Sequence, residues 1–336
     1  MTLDITLIIC TYRRPAAVVR LLESLLCQTR PLSEILIVDG SPDTMTQQAV
    51  EQFCLQRNAR ICYHHVSPEH RGLTRQRNYG IARARGAIVA FLDDDTLPEP
   101  DYVAELLSCF ERHPDAVGVG GYIVGELQWR KVDRSGGQPL SVYRFGDWEC
   151  REDYRWRLRK LLGLGSSLPP GWMPTSGHGR TIGNLPPDGA DHRVEAIIGC
   201  ALAVRRDVLD RHKFSHYFEG YGLYEDLDFC IRVSQDGPLY VCTRAQLSHY
   251  HAPSGRPNQF RYGTMVTRNG WFVWRRRWPN PQFWDRLRWW TITTLLILCR
   301  FGDALRGPRR PQALSEAIGR IWGLISVMRS KPTLEN

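Results

Sequence analysis

An α/β fold built around a mostly parallel sheet is what this sequence predicts, and three observations carry that expectation. Apolar, branched runs alternate with helically spaced apolar stripes over the first 120 residues. The connections between them are short, as right-handed crossover units require. Residues 87–92, Ala-Ile-Val-Ala-Phe-Leu, run straight into three adjacent carboxylates, Asp93-Asp94-Asp95, and open parallel sheets bind ligands just beyond such strand ends.

Taken in order, residues 5–10 read as the first strand. Residues 15–27 follow as a helix, with Pro15 suited to its first turn and Val18, Leu21, Leu22, Leu25 and Leu26 on one face. Residues 35–38 form a second strand, 44–56 a second helix, 61–66 a third strand, 73–84 a third helix and 87–92 the fourth strand. Val103, Leu106, Leu107 and Phe110 place a helix over 101–113, and 117–119 opens another extended piece. From 127 to 195 periodicity weakens. Gly, Pro and Trp are scattered there through Ser135-Gly136-Gly137, Leu168-Pro169-Pro170-Gly171-Trp172 and Leu185-Pro186-Pro187-Asp188-Gly189, and a long irregular stretch in an α/β domain is usually functional or mobile. Order returns at 196–204 and 205–209. Residues 224–233 then read as a helix with Leu227, Cys230 and Ile231 toward a core and Glu225 and Asp226 at its N-terminal end.

Three carboxylates side by side repel, and burying one unpaired costs several kcal/mol. A divalent cation compensates naturally, and one held by only one or two carboxylates keeps positions free for phosphate oxygens. A solvated acidic turn closing the strand is the structural alternative. Asp39, just past the second strand, suits a hydrogen bond from a pyrimidine N–H or a ribose hydroxyl; equally, it suits capping a helix or shaping a turn. Glu225 and Asp226 suit a helix N-terminus through its dipole and exposed amides.

With 336 residues and 43% hydrophobic content the chain has room for one large domain plus an appendage. Its ten cysteines show no C-x-x-C pair and no zinc-like spacing, so they read as reduced core thiols of a cytosolic protein. The first residues lack the basic and apolar regions of a secretory signal. The net charge of +9 is unevenly spread: residues 256–336 hold 15 basic and 4 acidic side chains, hence +11, and the rest of the chain is −2. That segment also holds Trp271, Trp274, Trp278, Trp284, Trp289, Trp290 and Trp322. Arginine mixed with tryptophan suits an anionic membrane surface or nucleic acid. Its longest uncharged run, 289–299, is too short to span a bilayer, so a peripheral attachment is expected.

Five segments, in order, resemble the motifs of family 2 inverting glycosyltransferases. They are Ile8-Ile9-Cys10-Thr11-Tyr12-Arg13-Arg14-Pro15, Ile37-Val38-Asp39-Gly40-Ser41, Gly72-Leu73-Thr74-Arg75-Gln76-Arg77-Asn78-Tyr79-Gly80-Ile81, Phe91-Leu92-Asp93-Asp94-Asp95 and Glu225-Asp226-Leu227-Asp228. The resemblance runs over residues 5–255. It implies a type A glycosyltransferase fold: a Rossmann-like nucleotide-binding sheet over 1–126, fused to an acceptor-binding, catalytic-base half over 127–255. The basic, Trp-rich helical appendage, 256–336, is expected to associate with membrane. By position, the resemblance implies that Thr11, Arg13 and Asp39 line the nucleoside pocket, with Arg77 approaching the nucleotide or its diphosphate. It places Asp93 at the ribose or donor sugar, with Asp94 beside it, Asp95 as the direct metal ligand and Asp226 as the general base next to Glu225. The stretch Ser248-His249-Tyr250-His251-Ala252-Pro253-Ser254-Gly255-Arg256 resembles a later element that supplies a metal-binding histidine, His249 or His251, and a diphosphate-contacting arginine, Arg256.

The implied cofactor is Mn2+ or Mg2+. The implied partners are a nucleotide-sugar donor of the uridine or thymidine diphosphate type, and a glycan or lipid-linked acceptor of cell-surface polysaccharide or glycolipid assembly. The expected location is cytoplasmic, peripheral on the inner face of the cell membrane. A glycoside hydrolase would need no nucleotide pocket and no such aspartate triplet. A nucleic-acid-binding role for the tail lacks an RNA-recognition signature, and no nucleic-acid partner is expected. A family member that has lost catalysis and binds nucleotide as a scaffold would be expected to have lost the aspartates that are present.

Overall fold

The computed structural model describes residues 3–132, 137–218, 220–250 and 257–333. Ser135 and Gly136 of the irregular stretch, and His251 and Arg256 among the expected site residues, lie outside the described residues. In chain order the elements begin with β1 (Ile5–Thr11), α1 (Pro15–Leu26), β2 (Glu34–Asp39), α2 (Met45–Arg57), β3 (Cys62–His65), α3 (Leu73–Ile81), β4 (Ile88–Asp93), β5 (Thr96–Pro98), α4 (Tyr102–Arg112) and β6 (Gly118–Ile123). They continue with β7 (Arg130–Lys131), β8 (Val142–Phe145), β9 (Trp148–Arg151), α5 (Tyr154–Leu161), β10 (Asp191–Val194), β11 (Ala201–Arg205), α6 (Arg206–Arg211), α7 (Glu225–Val233) and β12 (Leu239–His249). The chain closes with α8 (Gln259–Arg277), α9 (Phe283–Arg306) and α10 (Arg310–Arg329). Two units emerge: Met1–Glu126 with Pro187–Gly255, and Leu127–Pro186 with Arg256–Asn336. Residues 127–255 are thus shared between them.

The first unit is built on a mixed nine-stranded sheet in the order β10-β12-β6-β11-β4-β1-β2-β3, with β5 paired to β12. Most of its strands run in one direction, as expected from the first 120 residues, with β5, β10 and β11 reversed. β3, β2, β1 and β4 are parallel, as their crossover helices dictate. β11 lies antiparallel between β4 and β6, while β10 and β5 run antiparallel to β12. Strands after residue 187 do not follow a strand-helix-strand crossover, so nothing local imposes their direction. Register decides what meets at the carboxyl edge. Thr11 pairs with Asp39 and Cys10 with Asp93. Ala201 opposite Leu92 sets Gly199-Cys200 against the same edge, and His249 opposite Thr96 brings the end of β12 beside the aspartate triplet.

The core beneath this edge explains its rigidity. Leu7 and Ile9 pack with Val18, Leu21 and Leu22 of α1 and Val103, Leu106, Leu107 and Phe110 of α4, all buried. Each such side chain contributes roughly 1.5–3 kcal/mol through burial. Ile8 points to the other face, where a Cβ at Gly80 of α3 would lie 2.8 Å from its methyl. Helix and sheet therefore approach more closely there than any side chain would allow.

The second unit holds a small antiparallel sheet, β7-β9-β8, with α5 and the three C-terminal helices. The stretch from 127 onward is more regular than its sequence suggests, because two-residue and four-residue strands are too short to show periodicity. Trp271, Trp274, Trp289 and Val327 form a buried cluster with Met173 against it. Trp274 and Trp289 stack with centroids 5.1 Å apart, and the Trp274 indole donates to the Thr175 carbonyl at 2.8 Å. Residues 256–336 are thus part of a folded unit that includes residues 127–186. Trp284 and Trp322 remain exposed. Among the described residues no helix is long and apolar enough to cross a membrane.

Candidate active site

The candidate site occupies the carboxyl edge of the first unit's sheet. At its centre is Arg77 of α3, only 2% exposed. It donates to Glu225 Oε1 at 2.9 Å, to the Gly199 carbonyl at 3.1 Å and, more loosely, to Asp93 Oδ1 at 3.4 Å. Its guanidinium also sits 5.0 Å from the Phe214 ring centroid. Arg77 was expected to approach a nucleotide or its diphosphate; here its donors meet protein carboxylates and a carbonyl. Gly199 is what admits it, since a Cβ there would fall 2.8 Å from the guanidinium.

Gly199 links Arg77 to the expected base. Its N–H donates to Asp226 Oδ2 at 2.9 Å, and the Leu227 N–H donates to Oδ1 at 2.7 Å. Both donors favour the carboxylate, yet burial outweighs them and holds the Asp226 pKa above the usual carboxylate value. Glu225 is pushed up to about 8, first by burial and then by the charge of Asp226, against the pull of Arg77. Adjacent carboxylates in unlike surroundings take different protonation states, and here Glu225 is the better proton holder. Just before them Tyr224 adopts a left-handed conformation, φ 73°, a strained start for a helix that aims both side chains into the edge.

The aspartate triplet divides its duties. Asp94 is 4% exposed and accepts from Thr11 Oγ1 at 2.7 Å and Arg14 Nη1 at 2.8 Å. Burial still lifts its pKa to about 6. Thr11 and Asp94, both expected at the nucleotide sugar, therefore tie the β1 and β4 ends together. Asp93 is the most open of the three, at 36% of its side chain. Asp95 Oδ1 lies 3.1 Å from His249 Nε2. Burial disfavours charge on His249, but the bond to Asp95 and its charge prevail and raise its pKa.

Asp39, expected to face the base, stands at the end of β2. It is fully buried, accepting from the Ser41 N–H at 2.7 Å, the Ser41 hydroxyl at 2.5 Å and the Tyr63 hydroxyl at 2.5 Å. It shapes the turn after β2, the alternative its sequence position left open. Arg13 is exposed, held by its backbone N–H to Ser41 Oγ at 2.7 Å, in a left-handed conformation of φ 56°.

Four residues at this edge were not singled out by sequence. Arg14 follows Arg13 without any periodic cue. Gln76 ties the β1 and β2 ends, donating to the carbonyls of Thr11 and Val38. Arg71 has a buried Nε with no hydrogen-bond partner among the described residues. Cys200 lies with its Sγ 3.8 Å from His249 Nδ1.

Asp93, Cys200 and His249 each present an atom within 4.8 Å of the others, with Asp95 against His249. Carboxylates and an imidazole suit a cation such as Mn2+. Cys200 is a poor ligand, because burial raises its thiol pKa well above the usual value and only a thiolate binds metal well. Asp93 and His249 thus offer an oxygen and a nitrogen donor suited to a divalent cation, with Asp95 against the His249 Nε2.

Known proteins place this arrangement. Residues 6–163 match the profile of the family described as glycosyl transferase family 2. The chain is 32% identical over 134 residues to the glucosyl-dolichyl phosphate glucuronosyltransferase of Haloferax volcanii, covering 39% of this chain and 42% of that protein. It is 36% identical over 104 residues to the putative glycosyltransferase EpsH of Bacillus subtilis, covering 31% of this chain and 29% of that one. It therefore spans less than half the length of these relatives. Among solved structures it resembles the mannosyltransferase PcManGT of Pyrobaculum calidifontis, in complex with GDP-Man and Mn2+, with TM-score 0.55 and 15% identity over 96% of this chain and 88% of that one. That likeness is one of fold. Residues 6–163, just under half of the chain, thus match glycosyl transferase family 2, and the fold is like that of type A glycosyltransferases.

Proposed function

We propose that the protein moves a sugar from a nucleoside-diphosphate sugar to an acceptor hydroxyl with inversion at the anomeric carbon. One observation carries the reading. Asp93, Asp95 and His249 converge at the same sheet edge to which Arg77 and Gly199 tether Glu225 and Asp226. A cation there would neutralise charge on the departing diphosphate. Asp226 takes the acceptor proton, its carboxylate aimed by the Gly199 and Leu227 amides, and its raised pKa makes it a stronger base than a solvated aspartate. Glu225, protonated near neutral pH, keeps a second negative charge out of the base position. No covalent intermediate is required.

The donor is a nucleoside diphosphate of the uridine or thymidine type. The acceptor is a glycan or lipid-linked hydroxyl in cell-surface polysaccharide or glycolipid assembly. Residues 1–126 hold the donor, 127–255 serve the acceptor and the base, and 256–336 rest on anionic membrane at the inner face of the cell membrane. Support for that last point comes from the arginines of this segment and from exposed Phe283, Trp284, Leu287, Leu298 and Leu305 on α9. The activity reading is tested by Asp226→Asn in a transfer assay over a nucleotide-sugar panel with Mn2+. Donor binding survives and kcat falls by roughly two to four orders of magnitude, and in the wild type the acid limb of kcat/KM sits above the ordinary aspartate value. Near-normal transfer by Asp226→Asn removes Asp226 from the role of base.

A further inference from the structure

Away from that edge, a second cluster of reactive groups lies between α4 and β12. The Sγ atoms of Cys109 and Cys242 and an oxygen of Asp191 all fall within 4.8 Å of one another. Both thiols are buried. Cys242 Sγ has Arg112 Nη2 at 3.7 Å and the Glu105 carbonyl at 3.7 Å. Asp191 is already saturated: Arg112 donates to it twice, at 2.8 and 3.1 Å, Arg244 once at 2.9 Å, and His113 Nε2 lies 3.1 Å away. Glu105 in turn accepts from Arg244 at 2.9 Å. Two guanidiniums around one carboxylate make a cationic surrounding that repels a metal ion and favours a thiolate.

We infer that Cys109 and Cys242 are a redox-active pair that closes to a disulfide, bridging α4 and β12, on two-electron oxidation by peroxide. The Cys242 thiolate attacks one peroxide oxygen, forming an S–O bond as the O–O bond breaks and hydroxide leaves to become water. The Cys109 sulfur then attacks that sulfenic sulfur, forming S–S and expelling the hydroxyl, which takes the Cys109 proton as a second water. Two thiols lose two electrons and the peroxide gains them. The roles follow from the surroundings. Cys242 has its pKa lowered to about 7, chiefly by the hydrogen bond from Cys109 and with help from the amides of Arg244 and Ala245, whereas Cys109 is raised by the same bond and by burial. The sulfurs, within 4.8 Å of each other, close to the disulfide length of about 2.05 Å as the bond forms. Cys109 lies in the last turn of α4, and a small oxidant reaches the buried pair through local opening of the fold.

The test uses the full chain as it is. Protein is treated with stoichiometric hydrogen peroxide, unfolded, alkylated, digested and mapped by mass spectrometry with and without reductant. The expected product is one cross-linked species joining the Cys109 and Cys242 peptides, lighter by two hydrogens and released by reductant. Cys109→Ser abolishes it and leaves a dimedone-reactive sulfenic acid at Cys242. Should that variant fail to fold, the wild-type map alone decides. Full alkylation of both residues at a peroxide level that oxidises exposed Cys27 and Cys62 overturns the inference. Protection of Cys109 and Cys242 from alkylation by added Zn2+ without oxidant overturns it too, in favour of a metal site.

Discussion

Replacing Arg77 by Met tests whether this buried guanidinium holds the two sides of the candidate site together. The substitution keeps an apolar stem against Phe214 but removes every donor to Glu225, Asp93 and the Gly199 carbonyl. At a pH where Glu225 is ionised, removing one partner of this buried pair costs about 3–5 kcal/mol, because the other charge is left uncompensated. Glu225 and Arg77 are both almost fully buried, so solvent offers little relief. The loss depends on pH in a defined direction. Glu225 is shifted from the usual 4.5 to about 8 with Arg77 in place, and removal of the cation raises it further. A carboxyl raised in the folded state contributes stability below its unfolded pKa, and loses it as pH rises toward the folded value. Arg77→Met is therefore less stable at pH 8 than at pH 6, where Glu225 holds its proton. Urea unfolding at both pH values measures this, with Glu225→Gln completing a double-mutant cycle. The double variant recovers much of the loss, since a neutral amide needs no counter-charge. If Arg77→Met unfolds like the wild type, or if the double variant is no better than the single, the ion pair does not hold this edge together.

Asp95→Ala removes the oxygen beside His249, and calorimetry then shows the manganese dependence of nucleoside-diphosphate binding abolished; equal metal dependence in both proteins places the ligand elsewhere. His178, whose Nε2 lies 2.9 Å from Thr293 Oγ1, has its pKa lowered from 6.5 to about 3 by burial first and by Arg159 and Arg320 next. Its contribution is present above pH 6.5 and is lost as pH falls toward 3 at up to about 1.4 kcal/mol per unit, so His178→Asn, which tolerates the local φ of 57°, flattens that part of the acid-unfolding profile. Phe283→Ser with Trp284→Ser reduces flotation of the full chain with anionic liposomes at low salt, where each nearby arginine contributes about 1 kcal/mol. Unchanged flotation, or none by the wild type, rejects the membrane proposal. Point substitutions serve here because truncation before α8 would remove Trp271, Trp274 and Trp289 from the core of the second unit.

Most of the sheet edge was legible because its signals are local. An apolar run ending in Asp93-Asp94-Asp95 announces a strand end, and parallel pairing then places Thr11, Asp39 and Asp93 at one edge by register alone. What was not legible depends on pairings between distant residues. β5 has three residues, too few for any periodicity, yet its pairing with β12 is what carries His249 to Asp95 across 154 positions. Asp39 carries the same residue type whether it faces a base or a turn, and the choice is made by Tyr63 and Ser41 donating to it. Arg77 sits in a segment that resembles a ligand-binding motif, but whether an arginine meets a phosphate or a carboxylate depends on what the fold sets before it. Here the bare backbone of Gly199, on a segment that returns antiparallel to β4, lets the guanidinium lie between Glu225 and Asp93. Motif spacing identifies which charged groups converge; the direction of one strand decides which of them neutralise each other and which stay open to a ligand. On that logic Asp93, with 36% of its side chain exposed, is the carboxylate of the triplet most open to a ligand.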